Sequence, residues 1–66
     1  MQITYKKLWE ILIDREMNKT QLKDAAGVSS NVIAKLGKNE PVSIATLINI
    51  CVALGVDIGD IIEIKK

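Results

Sequence analysis

The stretch from Asn18 to Glu40 constrains this chain more than any other. Two short apolar patterns of helical spacing flank a single glycine, Gly27. The first predicts a helix over about 19–26. Asn18 stands at its N-cap and Gln21 three residues later, an amide version of the capping box. Gly27 then supplies the sharp turn, since glycine reaches a positive φ at little cost. Ser29 caps a second helix that turns Val32, Ile33 and Leu36 inward and ends near Leu36, before the C-terminal signals Gly37 and Asn39. Its opposite face carries Ser30, Asn31, Ala34 and Lys35.

The rest of the chain reads as helices that enclose this pair. Tyr5, Leu8, Trp9 and Leu12 fall at i, i+3, i+4 and i+7, which predicts a helix over 5–17, with Thr4 at the N-cap and Trp9 packed against a later helix or the tail. Glu10 and Asp14 lie on its other side. Glu40-Pro41-Val42 is an extended connector, because the residue before proline avoids the helical region. Ser43 caps a fourth helix, whose Ile44, Leu47, Ile48, Cys51 and Leu54 share a face and which Gly55 stops. Asp57 caps a last short helix through about Ile61. Only Thr46 and Asn49 interrupt the apolar run from Ile44 to Leu54, so this helix is either covered all round or part of an interface. At the ends, Gln2-Ile3-Thr4 and Ile62-Glu63-Ile64 alternate as strands do, and predict pairing with each other or with a second copy.

Sixty-six residues allow one domain, spanning 1–66. A chain this short buries only about 60% of its unfolded surface, so it needs a rich core. It has one: 48% of its residues are hydrophobic, and nearly all of these are aliphatic. The sole cysteine, Cys51, lies in an apolar run and reads as a small buried hydrophobe. No signal peptide and no apolar stretch of about 20 residues is evident, which predicts a cytoplasmic protein without membrane contact.

Enzyme chemistry finds little support. Histidine, the commonest general base and metal ligand, is absent. Glu10 with Asp14, and Asp57 with Asp60, are explained by a solvated face and by helix caps. No phosphate-cradling glycine loop is present. We therefore expect no catalytic residue, no metal, no cofactor and no small-molecule ligand. A net charge of +1 argues against indiscriminate binding to polyanions. The distribution is more informative: over residues 19–38, four lysines (Lys19, Lys23, Lys35, Lys38) against Asp24 alone leave +3.

A turn of this kind between amphipathic helices, with Leu22, Ala26, Gly27, Val28, Ile33 and Leu36 in register, resembles the helix-turn-helix (about 19–37) of the Cro/phage-repressor family, also called the xenobiotic-response-element type. Pro41-Val42-Ser43 and the run from Ala53 to Ile61 are similar to that family's fourth and fifth helices. The chain also resembles small stand-alone regulators of Gram-positive mobile elements and vancomycin-resistance gene clusters. The resemblance implies an all-α, five-helix, lambda-repressor-like domain that binds double-stranded DNA as a homodimer and regulates transcription. It implies base contacts from Ser30, Asn31 and Lys35 in the major groove, and phosphate contacts from Lys19, Ser29, Lys38 and Asn39. The side chains suit these roles: Asn can bridge the N6 and N7 of adenine, and Lys can donate to the O6 and N7 of guanine.

Two departures from the family pattern stand out. Lys23 occupies the crossing of the two motif helices, where a small residue is usual. Leu12 and Gly37 replace a common arginine–glutamate pair, and both charges are missing together. The alternative reading is a protein-interaction module, antitoxin-like or the partner of another regulator, acting through the fourth helix and the C-terminal tail.

Overall fold

The computed structural model describes residues 2–65. Along the chain lie β1 (Gln2–Thr4), α1 (Lys6–Asp14), α2 (Lys19–Ala26), α3 (Ser30–Gly37), α4 (Ile44–Leu54), a 3₁₀ turn (Ile58–Asp60) and β2 (Glu63–Lys65). The expected five-helix domain is therefore four α-helices and one 3₁₀ turn. The last helix is reduced because Gly59 sits inside it and β2 begins three residues after it, which leaves room for one tight turn. Asp57 caps that turn in reverse: its own N–H donates to Asp60 Oδ2 at 3.0 Å.

The two ends pair with each other, antiparallel, with Ile3 opposite Ile64. This is the intramolecular form of the two pairings expected. The strands close the chain over one core made of Tyr5, Leu8 and Leu12 from the α1 segment, Leu22, Leu36, four residues of α4, and Ile61. α2 packs against both α3 and α4, so the motif helices are seated on that core.

α1 starts one residue later than expected and ends three residues earlier. Tyr5, not Thr4, takes the N-cap position. Thr4 still serves the helix start from the end of β1, where its hydroxyl accepts from the Lys6 N–H at 3.3 Å. At the other end Glu16 adopts φ 55. This lets the Met17 N–H return to the Leu12 carbonyl at 2.9 Å, a left-handed stop made without glycine. Arg15 then reaches across to donate from Nη1 to the Leu54 carbonyl at 2.6 Å, which ties the end of α1 to the end of α4. A cation on the last carbonyls of a helix also meets its partial negative charge.

α4 is turned differently from the expected face. Leu47, Ile50, Cys51 and Leu54 are buried, while Ile44, Ile48 and Val52 are 62%, 47% and 77% exposed. Both faces are apolar, so the periodicity could not choose between them. Packing against α2 made the choice.

Candidate nucleic-acid interface

The turn between α2 and α3 is built from local chemistry. Asn18 Oδ1 accepts from the Gln21 N–H at 2.7 Å, and Gln21 Oε1 accepts from the Asn18 N–H at 2.9 Å. This reciprocal box fixes where α2 starts. Gly27 ends it at φ 67, and its N–H returns to the Lys23 carbonyl. A Cβ at Gly27 would meet no atom within 4 Å. Glycine is needed there for its backbone angle, not for space. Ser29 Oγ then accepts from the Val32 N–H at 3.3 Å and starts α3.

α3 divides cleanly between core and solvent. Leu36 is fully buried, Val32 and Ile33 are half-buried, and Ser30, Asn31, Ala34 and Lys35 are exposed. Asn31 and Lys35 are four residues apart, as are Ser30 and Ala34, so they form two adjacent rows on one face. The three residues expected to meet bases thus share one uncovered surface.

The four residues expected to meet phosphate lie around the ends of the same helices, and all are exposed. The Ser29 oxygen is already engaged as a cap, which leaves its hydroxyl hydrogen as a donor. Asn39 takes φ 57 and ends the turn after α3, where the Glu40 N–H returns to the Lys35 carbonyl at 2.9 Å. Asn39 Oδ1 accepts from the Tyr5 N–H at 3.1 Å, so its amide nitrogen is the group left to donate. Lys38 borders a shallow depression with Gln2, Ile3, Asn39 and Pro41. Lys19, at the first position of α2, extends toward the end of α3: a Cβ on Gly37 would stand 3.9 Å from Lys19 Nζ.

Tyr5 holds this end of the interface in place. Its side chain is fully buried, and its hydroxyl donates to the Glu40 carbonyl at 2.8 Å. Burial pushes the phenol above its ordinary value, against a smaller opposing pull from the Val42 backbone. Together with the Asn39 bond, this fastens the connector after α3 to the start of α1. Neither contact was legible in the sequence, because the partners are more than thirty residues apart.

Lys23, at the crossing of the motif helices, lies beside α3. It is half-buried and shares a groove between α2 and α3 with Lys19, Thr20, Ser30 and Ile33. Lys23 and Thr20 therefore border the exposed face of α3 although neither was expected to. Trp9 is half-buried, but the groove it lines is shared with Met17, Lys19 and Gly37 rather than with α4 or the tail. Lys19 Nζ sits 5.1 Å from the centroid of its ring.

Among the described residues, no group of three His, Cys, Asp or Glu side chains is placed to hold a metal ion. No helix among them is long and apolar enough to cross a membrane.

The fold agrees with a wider comparison. The model of the Cro/C1-type helix-turn-helix DNA-binding domain matches residues 7–66. The chain belongs to this Cro/C1-type family. A solved structure titled as the transcriptional regulator VanUg (crystal form II) is similar to this chain at 55% identity and a TM-score of 0.89. The match covers 94% of this chain and 83% of that one. Comparison with curated protein sequences finds no match. The family and the similar regulator together make this a DNA-binding regulatory domain.

Proposed function

We propose that this Cro/C1-type domain reads double-stranded DNA in a sequence-specific manner, as a homodimer, with α3 in the major groove. The carrying observation is the uncovered face of Ser30, Asn31, Ala34 and Lys35 on a helix whose other face is seated in the core. Ser30, Asn31 and Lys35 meet base edges, while Lys19, Ser29, Lys38 and Asn39 meet phosphates. The surplus of lysine over acid in this region supplies the salt-sensitive part of the affinity.

A single helix-turn-helix touches few base pairs, and specific binding generally needs two half-sites about one helical turn apart. The row Ile44, Ile48 and Val52 on α4 is the apolar surface available for a second copy. The same row is what favours the other reading, a module that docks another protein. Salt separates the two, since contacts through lysines weaken steeply as salt rises and apolar contacts do not.

Selection of bound sequences from random duplexes tests the proposal. A palindromic motif with two half-sites is the expected result, together with a dimer in sedimentation on a saturating duplex. On the selected site, Asn31→Ala lowers affinity by about 1–3 kcal/mol and relaxes preference at one base position. Lys38→Ala weakens matched and scrambled duplexes alike and reduces the salt slope by about one. Equal losses on matched and scrambled DNA for Asn31→Ala would remove this side chain from base reading.

A further inference from the structure

The arginine–glutamate pair common in this family is replaced here by Leu12 and Gly37, and the space beside them is occupied in a different way. Trp9, Met17 and Gly37 border an open groove of about 390 Å³, and Lys19 reaches across it. The Lys19 ammonium lies 5.1 Å from the Trp9 ring centroid, inside the range where a cation is attracted to an indole face. It also stands 3.9 Å from the position a Gly37 Cβ would take. Among the described residues Lys19 joins no ion pair; the pair found there is Lys7 with Glu63, at 3.7 Å. The groove contributes no carboxylate. The charge of Lys19 is therefore held in place but not neutralised.

We infer that Trp9 is a positioning residue for the DNA contact of Lys19. The ring holds the ammonium beside the ends of α2 and α3, so that a phosphate meets a cation already in place. This rests on the DNA reading above. A free lysine side chain loses much rotamer freedom when it is fixed against a phosphate. One already stacked on a ring loses less at the moment of binding, which is the general gain from preorganisation. The ammonium has three donors, and the ring face engages one side of it, leaving the other side for phosphate oxygens.

A double-mutant cycle on the selected duplex tests the pair. Trp9→Leu weakens binding by about two- to ten-fold, the cost of ordering one long side chain at the moment of binding. In a Lys19→Met background the same change has no further effect. Trp9→Phe, which keeps an aromatic face and most of the packing, recovers part of the loss and carries the cycle if Trp9→Leu fails to fold. Equal losses in both backgrounds would make Trp9 a packing residue only and overturn the inference, as would no loss in either. In the free protein, the Lys19 ε-methylene protons should be displaced upfield by the indole ring current. Absence of that displacement also overturns the pairing. If the displacement is present but the wild-type chain binds no duplex at low salt, the DNA reading itself falls, and with it the role given to the pair. The spectrum keeps these two failures distinct.

Discussion

Tyr5→Phe is the most informative single change in the core. It removes one oxygen, keeps the ring, and breaks the bond from the Tyr5 hydroxyl to the Glu40 carbonyl at 2.8 Å. A hydrogen bond of this kind contributes about 0.5–1.5 kcal/mol net. Glu40 is an exposed residue, so water can replace the lost donor at its carbonyl and the larger cost of an orphaned buried acceptor does not arise. The expected loss is about 1 kcal/mol, which lowers the Tm of a domain this size by roughly 4–8 °C. A second signature follows from the raised phenol. Above the ordinary value of 10.0 the unfolded chain releases the tyrosine proton while the folded chain keeps it. The unfolded state then binds fewer protons, so this contribution is complete below that pH and is lost as pH rises through the folded value. The phenylalanine variant has no such proton. Thermal melts followed by circular dichroism at pH 7, and in steps from pH 9 to 11, read both effects. The gap between wild type and variant should be full at pH 7 and shrink through the alkaline range; the lysines titrate in both proteins and cancel. A Tm within about 1 °C of wild type at pH 7, or a gap that stays constant to pH 11, would refute the reasoning.

Other changes have equally direct outcomes. Gly55 sits at φ 68, where an alanine costs about 1–2 kcal/mol, so Gly55→Ala should lower the Tm by several degrees. Gly59→Ala, at a position with no positive φ and nothing within 4 Å of a new Cβ, should leave it unchanged or slightly raised. Asn18→Ala removes the cap of α2 and should cost about 1 kcal/mol in denaturant unfolding, with the m-value unchanged. The Cys51 thiol is pushed up by burial first and by the charges of Asp57 and Asp60 second. It should therefore resist iodoacetamide at pH 7–8 and react only as denaturant opens the core, which mass spectrometry can follow.

Local chemistry by itself accounts for much of this protein. Asn18, Ser29 and Ser43 start their helices because each side chain accepts from the free N–H three residues on, and Gln21 accepts in return from the Asn18 N–H. Gly27 and Gly55 stop theirs because they alone take the left-handed region without strain. Those signals also place Ser30, Asn31 and Lys35 on one outward face of α3, since a helix start and a 3.6-residue period together determine orientation. Tertiary structure decided what no local rule addresses. Glu16 adopts a positive φ without being glycine, because Arg15 beside it is tied to the Leu54 carbonyl; Asn39, which favours that region locally, gains a further bond from the Tyr5 N–H. α4 offers two apolar faces of similar character, and contact with α2 selected the one that carries Ile50 rather than Ile44 and Ile48. The end strands pair because α1 and the 3₁₀ turn place them side by side. Trp9 came to lie under Lys19 for the same reason: periodicity tells a side chain to face inward, but only the packed neighbours determine what it meets there.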